Sequence, residues 1–333
     1  MKDCSRDVQN FHDDRVTLTA AQRREMRERR NANRDRLHRG LDKKGKPQPD
    51  QHIIQGSYAM KTMTQHPDRE YDIDDGVAFA DHKLKSNSGT PMTPQEAKQM
   101  VADGLKSGGG LQTDPEIKKN CVRVPYAAGY HVDIPVYRLS NVNGEQVREL
   151  ASDEWRESNP TEINDWFADE EGEADDEGDE PQLRRLVRLA KVYVRVQTDN
   201  QALSGLIVTV LAAECHLHSV REDEAFRTLL ENLLQRLRRS GEVRNPVNQG
   251  EVLTKSSDTS KVDALIRALE NSVQAMKTLD RANCRRSEAL RVWKDVFKTD
   301  YFDAEIEKSK ENEKVEAQKA VTAFPHVAKP WCP

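Results

Sequence analysis

The sequence predicts an α+β protein, with a mixed sheet and flanking helices followed by a C-terminal helical lobe. Three observations carry that prediction. From Ile53 to Tyr137 short apolar runs alternate with turn residues, as strands do; from Leu183 onward apolar residues recur at helical spacing; and the acidic run 169–180 stands between the two textures. The organisation expected is a sheet-bearing core over residues 1–160 that includes a basic N-terminal helix, a helical lobe over 161–302, and a polar, flexible tail over 303–333.

Composition narrows the setting. The 333 residues are 36% hydrophobic and 33% charged, enough for a sizeable core while much of the surface stays solvated. No run of about eighteen apolar residues exists and the opening MKDCSRDVQN has no apolar signal core, so a cytoplasmic protein without membrane contact is expected. Five scattered cysteines with no CxxC spacing point to reduced thiols rather than disulfides or zinc. The formal charge of −5 includes nine acids within 169–180; without them the remainder carries +4. That balance suits a small anionic ligand and falls short of the basic stripe of a dedicated nucleic-acid binder. The acidic run reads as a disordered loop.

In chain order, Thr19-Ala-Ala-Gln22 has the form of a capping box and starts a helix toward Gly45-Lys46-Pro47, with Met26, Leu37 and Leu41 as its apolar contacts. Its many arginines could mark a nucleic-acid or polyphosphate surface, but Glu25, Glu28 and Asp35 interleave them and favour a solvated helix face. Ile53-Ile54 leads as a strand into Gln55-Gly56-Ser57 and a helical turn through Thr62. The next strand, Tyr71 to Ala80, puts Ile73, Val77 and Phe79 on one face and Asp72 and Asp74 on the other. Thr93, Pro94 and Glu96 supply the cap, first-turn proline and reciprocal acid of another helix. Gly108-Gly109-Gly110 has neither the following GK[ST] nor the leading strand of a phosphate loop, and reads as a flexible connection. Cys121 to Pro125 and Tyr130 to Tyr137 read as two strands around a short turn, the second turning His131 and Asp133 away from Tyr130, Val132, Ile134 and Val136. Beyond residue 180, stripes such as Phe226, Leu229, Leu230, Leu233, Leu234 and Leu237 are packing faces of helices.

The chemistry concentrates in Gln55 to Val77. On a strand Asp72 and Asp74 point the same way, and their repulsion calls for a cation; hard oxygen donors of this kind suit Mg²⁺ or Mn²⁺. Asp133 adds a third carboxylate on an otherwise apolar strand, where a charge needs a partner. An EF-hand is excluded by register, because Gly76 stands fifth in DxDDG where a ligand belongs. Three aspartates beside a Gly-Ser turn describe a two-metal phosphoryl or nucleotidyl transfer site, with the Gly56 and Ser57 amides placed for phosphates.

The set of GSx4T (Gly56, Ser57, Thr62), DxD (Asp72, Asp74) and hVDh (Val132, Asp133, Ile134) resembles the bacterial cGAS/DncV-like nucleotidyltransferases (CD-NTases) of the polymerase-β-like superfamily. QGSYAMKT, YDIDDGV, YHVDIPVY, Asn10-Phe-His12, PTEINDWF (160–167) and LRRLVRLAKVY (183–193) extend the resemblance over residues 10–215. It implies a polymerase-β-like nucleotidyltransferase core with a helical lobe closing the nucleotide cleft. Asp72, Asp74 and Asp133 would be the catalytic residues and the ligands of two Mg²⁺ or Mn²⁺ ions; Gln55, Gly56, Ser57, Lys191 and Ser204 would bind nucleotide. The activity implied is synthesis of a cyclic di- or trinucleotide from ATP, GTP or other ribonucleoside triphosphates, with release of pyrophosphate, in cytoplasmic anti-phage (CBASS-type) signalling. A regulatory or conjugating protein at Ala323 to Pro333 is implied as partner, and nucleic acid is not. A linear product, adenylylation of a protein or RNA, and a non-catalytic nucleotide sensor are the alternatives. Gly205-Leu206 stands where relatives can place an aromatic, which leaves the base-stacking residue and the choice of bases open.

Overall fold

The first half of the chain builds one sheet between helices. Helix α1 (Ser5–Phe11) runs into a single π-helical turn, then come α2 (Ala20–Lys43), β1 (Gln51–Gln55), α3 (Gly56–Ala59), β2 (Asp72–Ala80) and α4 (Pro94–Ser107). Six short strands follow: β3 (Glu116–Ile117), β4 (Val122–Pro125), β5 (His131–Ile134), β6 (Val136–Val142), β7 (Glu145–Ala151) and β8 (Trp155–Glu157). The second half is helical, with α5 (Pro160–Glu171), α6 (Gln182–Gln197), α7 (Gly205–Cys215), α8 (Glu222–Arg239), α9 (Thr259–Met276), α10 (Arg286–Phe297) and α11 (Asp303–Thr322). The computed structural model describes all residues except 67–71, 87, 128, 143, 173–179, 200 and 323–333. Among the described residues no helix is long and apolar enough to cross a membrane.

Strand β2 is the hub of the eight-stranded sheet. β1 lies antiparallel along one edge, pairing Gln55 with Asp74, while β5 and β6 lie parallel along the other. The expected single strand from Tyr130 to Tyr137 is two strands, because Pro135 has no N–H to give the ladder. Its carbonyl still accepts from the Val77 N–H at 2.8 Å, so β2 runs past the break without a gap. Both expected capping boxes are present, Thr19 with Gln22 and Thr93 with Glu96.

One face of the sheet packs Ile73, Val77, Phe79 and Val132 against Leu37 and Leu41 of α2 and Val101 and Leu105 of α4. The two helices meet through glycine: a Cβ at Gly40 would fall 1.7 Å from the Gly104 carbonyl oxygen, and one at Gly108 would fall 2.0 Å from that of Arg36. The Gly108 to Gly110 stretch, expected as a flexible connection, is pinned by the Arg36 guanidinium, which donates to the Gly109 and Gly110 carbonyls. The helical half has its own core around Leu186, Phe226, Leu230, Trp293 and Phe297, and Cys4, Val8, Phe11 and Val16 from the N-terminus are part of it.

Two stretches differ from expectation. The polar segment after Phe302 is helix α11, docked by buried Phe302 and Ile306 and by Glu313, which accepts from the Ser287 N–H and hydroxyl. A single turn-spaced pair of apolar contacts is too sparse to read from composition, yet it suffices once α10 supplies a groove. Part of the acidic run is also built: Asp169 to Glu171 end α5, and Glu171 and Glu180 pair with Arg184 and Arg188 of α6. Residues 173–179 lie outside the described residues, as does Ala323 to Pro333.

Two predictions follow from packing. Gly40→Ala drives a methyl into backbone that cannot yield, so a loss of about 3 kcal/mol is expected in urea unfolding, at the upper end for an overpacked contact; a wild-type midpoint would contradict the α2–α4 contact. Behind the sheet, His52 and His38 face each other with Nε2 atoms 2.9 Å apart, and burial with the nearby Arg34 charge pulls His52 down to about 4. A histidine held neutral in the fold favours the native state above its unfolded value near 6.5 and loses that contribution as pH falls toward 4. Thermal midpoints should therefore drop between pH 6.5 and 4, and less steeply in His52→Asn.

Candidate active site

Parallel pairing of β2 with β5 sets Asp74 level with Asp133 and Asp72 level with His131. The three sequence-predicted carboxylates thus share one end of the sheet. Asp74 is pushed up to about 7, first by burial and then by the charges of Asp133 and Asp72, with Arg123 and His131 opposing. Two of the acids already have basic side chains beside them. Arg123, directly opposite on β4, donates Nε and Nη2 to the two Asp133 oxygens at 2.8 Å each, and His131 Nε2 lies against Asp72 Oδ1.

The Gly-Ser turn abuts this cluster. Gly56 has φ +63°, and a Cβ there would stand 2.5 Å from Asp74 Oδ2, so both backbone and space require glycine. Gln55 is steered by Tyr137, whose hydroxyl donates to its Oε1 at 2.8 Å. The turn is closed by Thr62, whose N–H donates to the Ser57 carbonyl at 2.9 Å. That threonine also receives Lys191: its Nζ donates to Thr62 Oγ1 at 2.8 Å and to the Thr62 carbonyl at 3.2 Å. Burial, aided by the Arg188 charge, lowers the Lys191 amine to about 7. Ser204 accepts from the Ile207 N–H as the N-cap of α7, and the following Gly205 lies against the end of the Lys191 side chain.

All eight predicted residues are accounted for in two groups. Asp72, Asp74, Asp133, Gln55 and Gly56 adjoin directly, with Ser57 next in the turn. Lys191 and Ser204 come from the helical half; Lys191 reaches the turn through Thr62, and Ser204 caps α7 beside it. Sequence reasoning passed over Arg123, Tyr137 and Arg34. The hairpin gave a signal for the first: a turn over 126–130 pairs Val124 with Val132 and so Arg123 with Asp133. Arg34 binds the buried Asp75 carboxylate with Nε at 2.7 Å and with Nη2, anchoring the strand from the core side.

The donor set fits a divalent ion. Three carboxylates offer only hard oxygen, and Asp74, raised by burial and then by its acidic neighbours, is a group whose ionised form a cation would favour. Among the described residues no three such groups already close around one point, since Arg123 and His131 engage two of the acids.

Comparison with known proteins bears on this arrangement. Residues 50–137, which span the turn and all three aspartates, match the family model "Cyclic GMP-AMP synthase DncV-like, nucleotidyltransferase domain". A cyclic GMP-AMP synthase of Escherichia albertii is 28% identical over 215 residues, 62% of this chain. The segment that carries the aspartates is thus similar to the nucleotidyltransferase domain of DncV-like cyclic GMP-AMP synthases. The match spans about half of that curated relative, 46% of its length. The DncV-like fold extends beyond the matched domain. The E. coli MS115-1 CdnC:HORMA-deltaN complex superposes with a TM-score of 0.69 at 19% identity, over 88% of this chain and 96% of that one. The Bradyrhizobium diazoefficiens CD-NTase CdnG in complex with GTP gives 0.68 at 15% identity, over 93% and 98%. Vibrio cholerae DncV with a linear intermediate gives 0.65 at 17% identity, over 88% and 94%. The expected polymerase-β-like core with a helical second half is therefore the fold observed.

The crowding of acids is testable by stability alone. A carboxyl held above its unfolded value near 3.8 destabilises the fold increasingly as pH rises to its folded value. Asp74→Asn should raise the thermal midpoint of the metal-free protein by about 2–4 °C at pH 8 and by less toward pH 4. It should also shrink the midpoint gain on adding Mn²⁺. An unchanged or lower midpoint at pH 8 would show that the cluster is not strained by charge.

Proposed function

We propose that the protein joins ribonucleoside triphosphates into a cyclic di- or trinucleotide. The observation that carries this reading is the in-register aspartate cluster against a glycine-only turn within a DncV-like domain. In each step the 3′-hydroxyl oxygen of one nucleotide bonds to the α-phosphorus of the next, the bond to the bridging oxygen breaks, and pyrophosphate leaves with that electron pair. Asp72, Asp74 and Asp133 would hold two divalent ions, Mg²⁺ or Mn²⁺, which when bound supply charge that acidifies the attacking hydroxyl and offsets the leaving pyrophosphate.

The chain's own residues prepare the substrate. Gly56 and Ser57 present backbone amides to the outer phosphates with no side chain at position 56 in the way. Lys191, whose amine is poised near neutrality by burial, gains a full charge as a phosphate approaches. Arg123 holds Asp133 until substrate and cation arrive, then is free to turn to phosphate or base. Ser204 at the start of α7 contacts the nucleotide from the helical side. Residues 161–302 act as the lobe that closes the cleft over residues 1–160, a division supported by the Lys191–Thr62 and Arg188–Lys61 links.

The substrates are ATP, GTP or related triphosphates; the relatives include a protein named cyclic GMP-AMP synthase and a CdnG structure with GTP. The protein acts in the bacterial cytoplasm in anti-phage signalling, as its family resemblance implies. The CdnC:HORMA-deltaN complex supports a regulatory protein partner, for which Ala323 to Pro333 is the proposed contact.

Incubation with the four labelled triphosphates and Mg²⁺ or Mn²⁺ should yield pyrophosphate and a phosphatase-resistant product of cyclic mass. The double variant Asp72→Ala/Asp74→Ala should lose about 10³-fold or more in rate, the scale expected when charge stabilisation of the transition state is removed. Product persisting in that variant would overturn the site. A linear mass would favour transfer without cyclisation, and binding without pyrophosphate would favour a sensor.

A further inference from the structure

A second cavity lies beside the Gly56–Thr62 segment, with a volume of about 780 Å³. None of the aspartates, Ser57, Lys191 or Ser204 lines it. Among the described residues its wall carries five cations, Arg23, Arg24 and Arg27 from α2, Lys61, and Arg188 from α6, against one acid, Glu180. That acid is already taken up by Arg188, which also donates to the Lys61 carbonyl at 2.6 Å. Arg23 gives one donor to the Leu18 carbonyl. Arg24 and Arg27 are exposed and make no hydrogen bond or ion pair among the described residues, although acids are interleaved along their own helix.

Four charges, Arg23, Arg24, Arg27 and Lys61, have no acid partner among the described residues, and their convergence on a concave space raises the local potential for an anion far above that of a flat surface. The rest of the wall is apolar, with Leu18, Ile54, Met63 and the ring of Tyr58, which Arg30 caps at 5.6 Å. Charge at one side and apolar surface with an aromatic ring at the other describe a ligand with several acidic oxygens and a flat apolar body. The volume is within the range of small-molecule sites.

We propose that this cavity binds a compact polyanion of the nucleoside-polyphosphate class, with its phosphates on Arg24, Arg27 and Lys61 and its base against Tyr58. The position gives occupancy a route to the catalytic cleft. Tyr58 and Ala59 sit on α3, the element that begins with Gly56. Lys61 is held at φ +55°, a left-handed conformation unfavourable for a lysine, and the next residue, Thr62, ties Ser57 and Lys191 together. A ligand that pairs with Lys61 therefore bears on the segment that sets the Gly-Ser turn. The binding itself does not depend on the catalytic reading, because the two sites share no charged residue.

Calorimetry of ADP and of inorganic tripolyphosphate in EDTA, on the full chain, tests the site. Arg24→Glu/Arg27→Glu should weaken both by about tenfold or more, since each lost charged hydrogen bond is worth about 1.5–3 kcal/mol. Asp72→Asn/Asp74→Asn should leave the affinity within a factor of about two, because those acids lie outside the cavity. Arg24→Gln/Arg27→Gln, checked for a wild-type thermal midpoint, guards against misfolding of the charge-reversed protein. Unchanged affinity in both arginine variants overturns the proposal, as does a clear gain in affinity in the aspartate variant, which without metal would place the anion beside the acids of the cleft. Arginine-dependent binding of a short DNA duplex with none of ADP would replace the small ligand by a nucleic-acid surface.

Discussion

Parallel pairing of β2 with β5 forces Asp72, Asp74 and Asp133 onto one end of the sheet, and most of what surrounds them answers the repulsion that results. Without an ion, charge can be balanced only by side chains; Arg123 does this from β4, while His131 lies against Asp72 from β5. Asp75 adds a fourth carboxylate on the opposite side of the same strand, and there Arg34 supplies the compensation from the core. Arginines thus approach the aspartates from both faces of the sheet. Removing either Arg123 or Arg34 leaves a largely buried acid without its partner.

The helical half is joined to this centre by unusually specific polar contacts. Arg188 and Lys191 lie three apart on α6, so both project from one face of the helix, and they grasp successive residues, the Lys61 carbonyl and Thr62. A shift of α6 would move the end of the Gly-Ser turn with it. That coupling is the physical basis for reading the helices as a lobe that works on the cleft rather than as a separate scaffold.

Much of the site was legible in sequence because it rests on local rules. Strand parity separated Asp72 and Asp74 from Ile73, Val77 and Phe79, and the capping boxes at Thr19 and Thr93 are fixed by residues three apart. What escaped depends on distant partners. Asp75 looks like one more surface acid until Arg34, 41 positions earlier, is folded against it. Pro135 divides a strand whose apolar alternation runs unbroken, since hydropathy takes no account of a missing N–H. Helix α11 follows the same logic: two buried side chains become decisive only when α10 is in place to receive them.

The arginine-rich helix shows how far a bland reading can reach. Its sequence fits a solvated face, yet the arginines divide according to where along α2 they fall. Near its C-terminal half, where the helix meets the sheet and α4, Arg34 and Arg36 turn inward to Asp75 and to the Gly109 and Gly110 carbonyls, and Gly40 permits the contact that brings those partners near. In its first two turns, among the described residues, Arg24 and Arg27 find no acceptor. A solvated arginine costs little, so their exposure alone would carry no meaning. The difference is that Lys61 meets them from another direction over a shared hollow, and like charges facing a common space are held there against their own repulsion. The fold bears that repulsion at two places, negative at the aspartates and positive at this hollow, with the seven residues from Gly56 to Thr62 running between them.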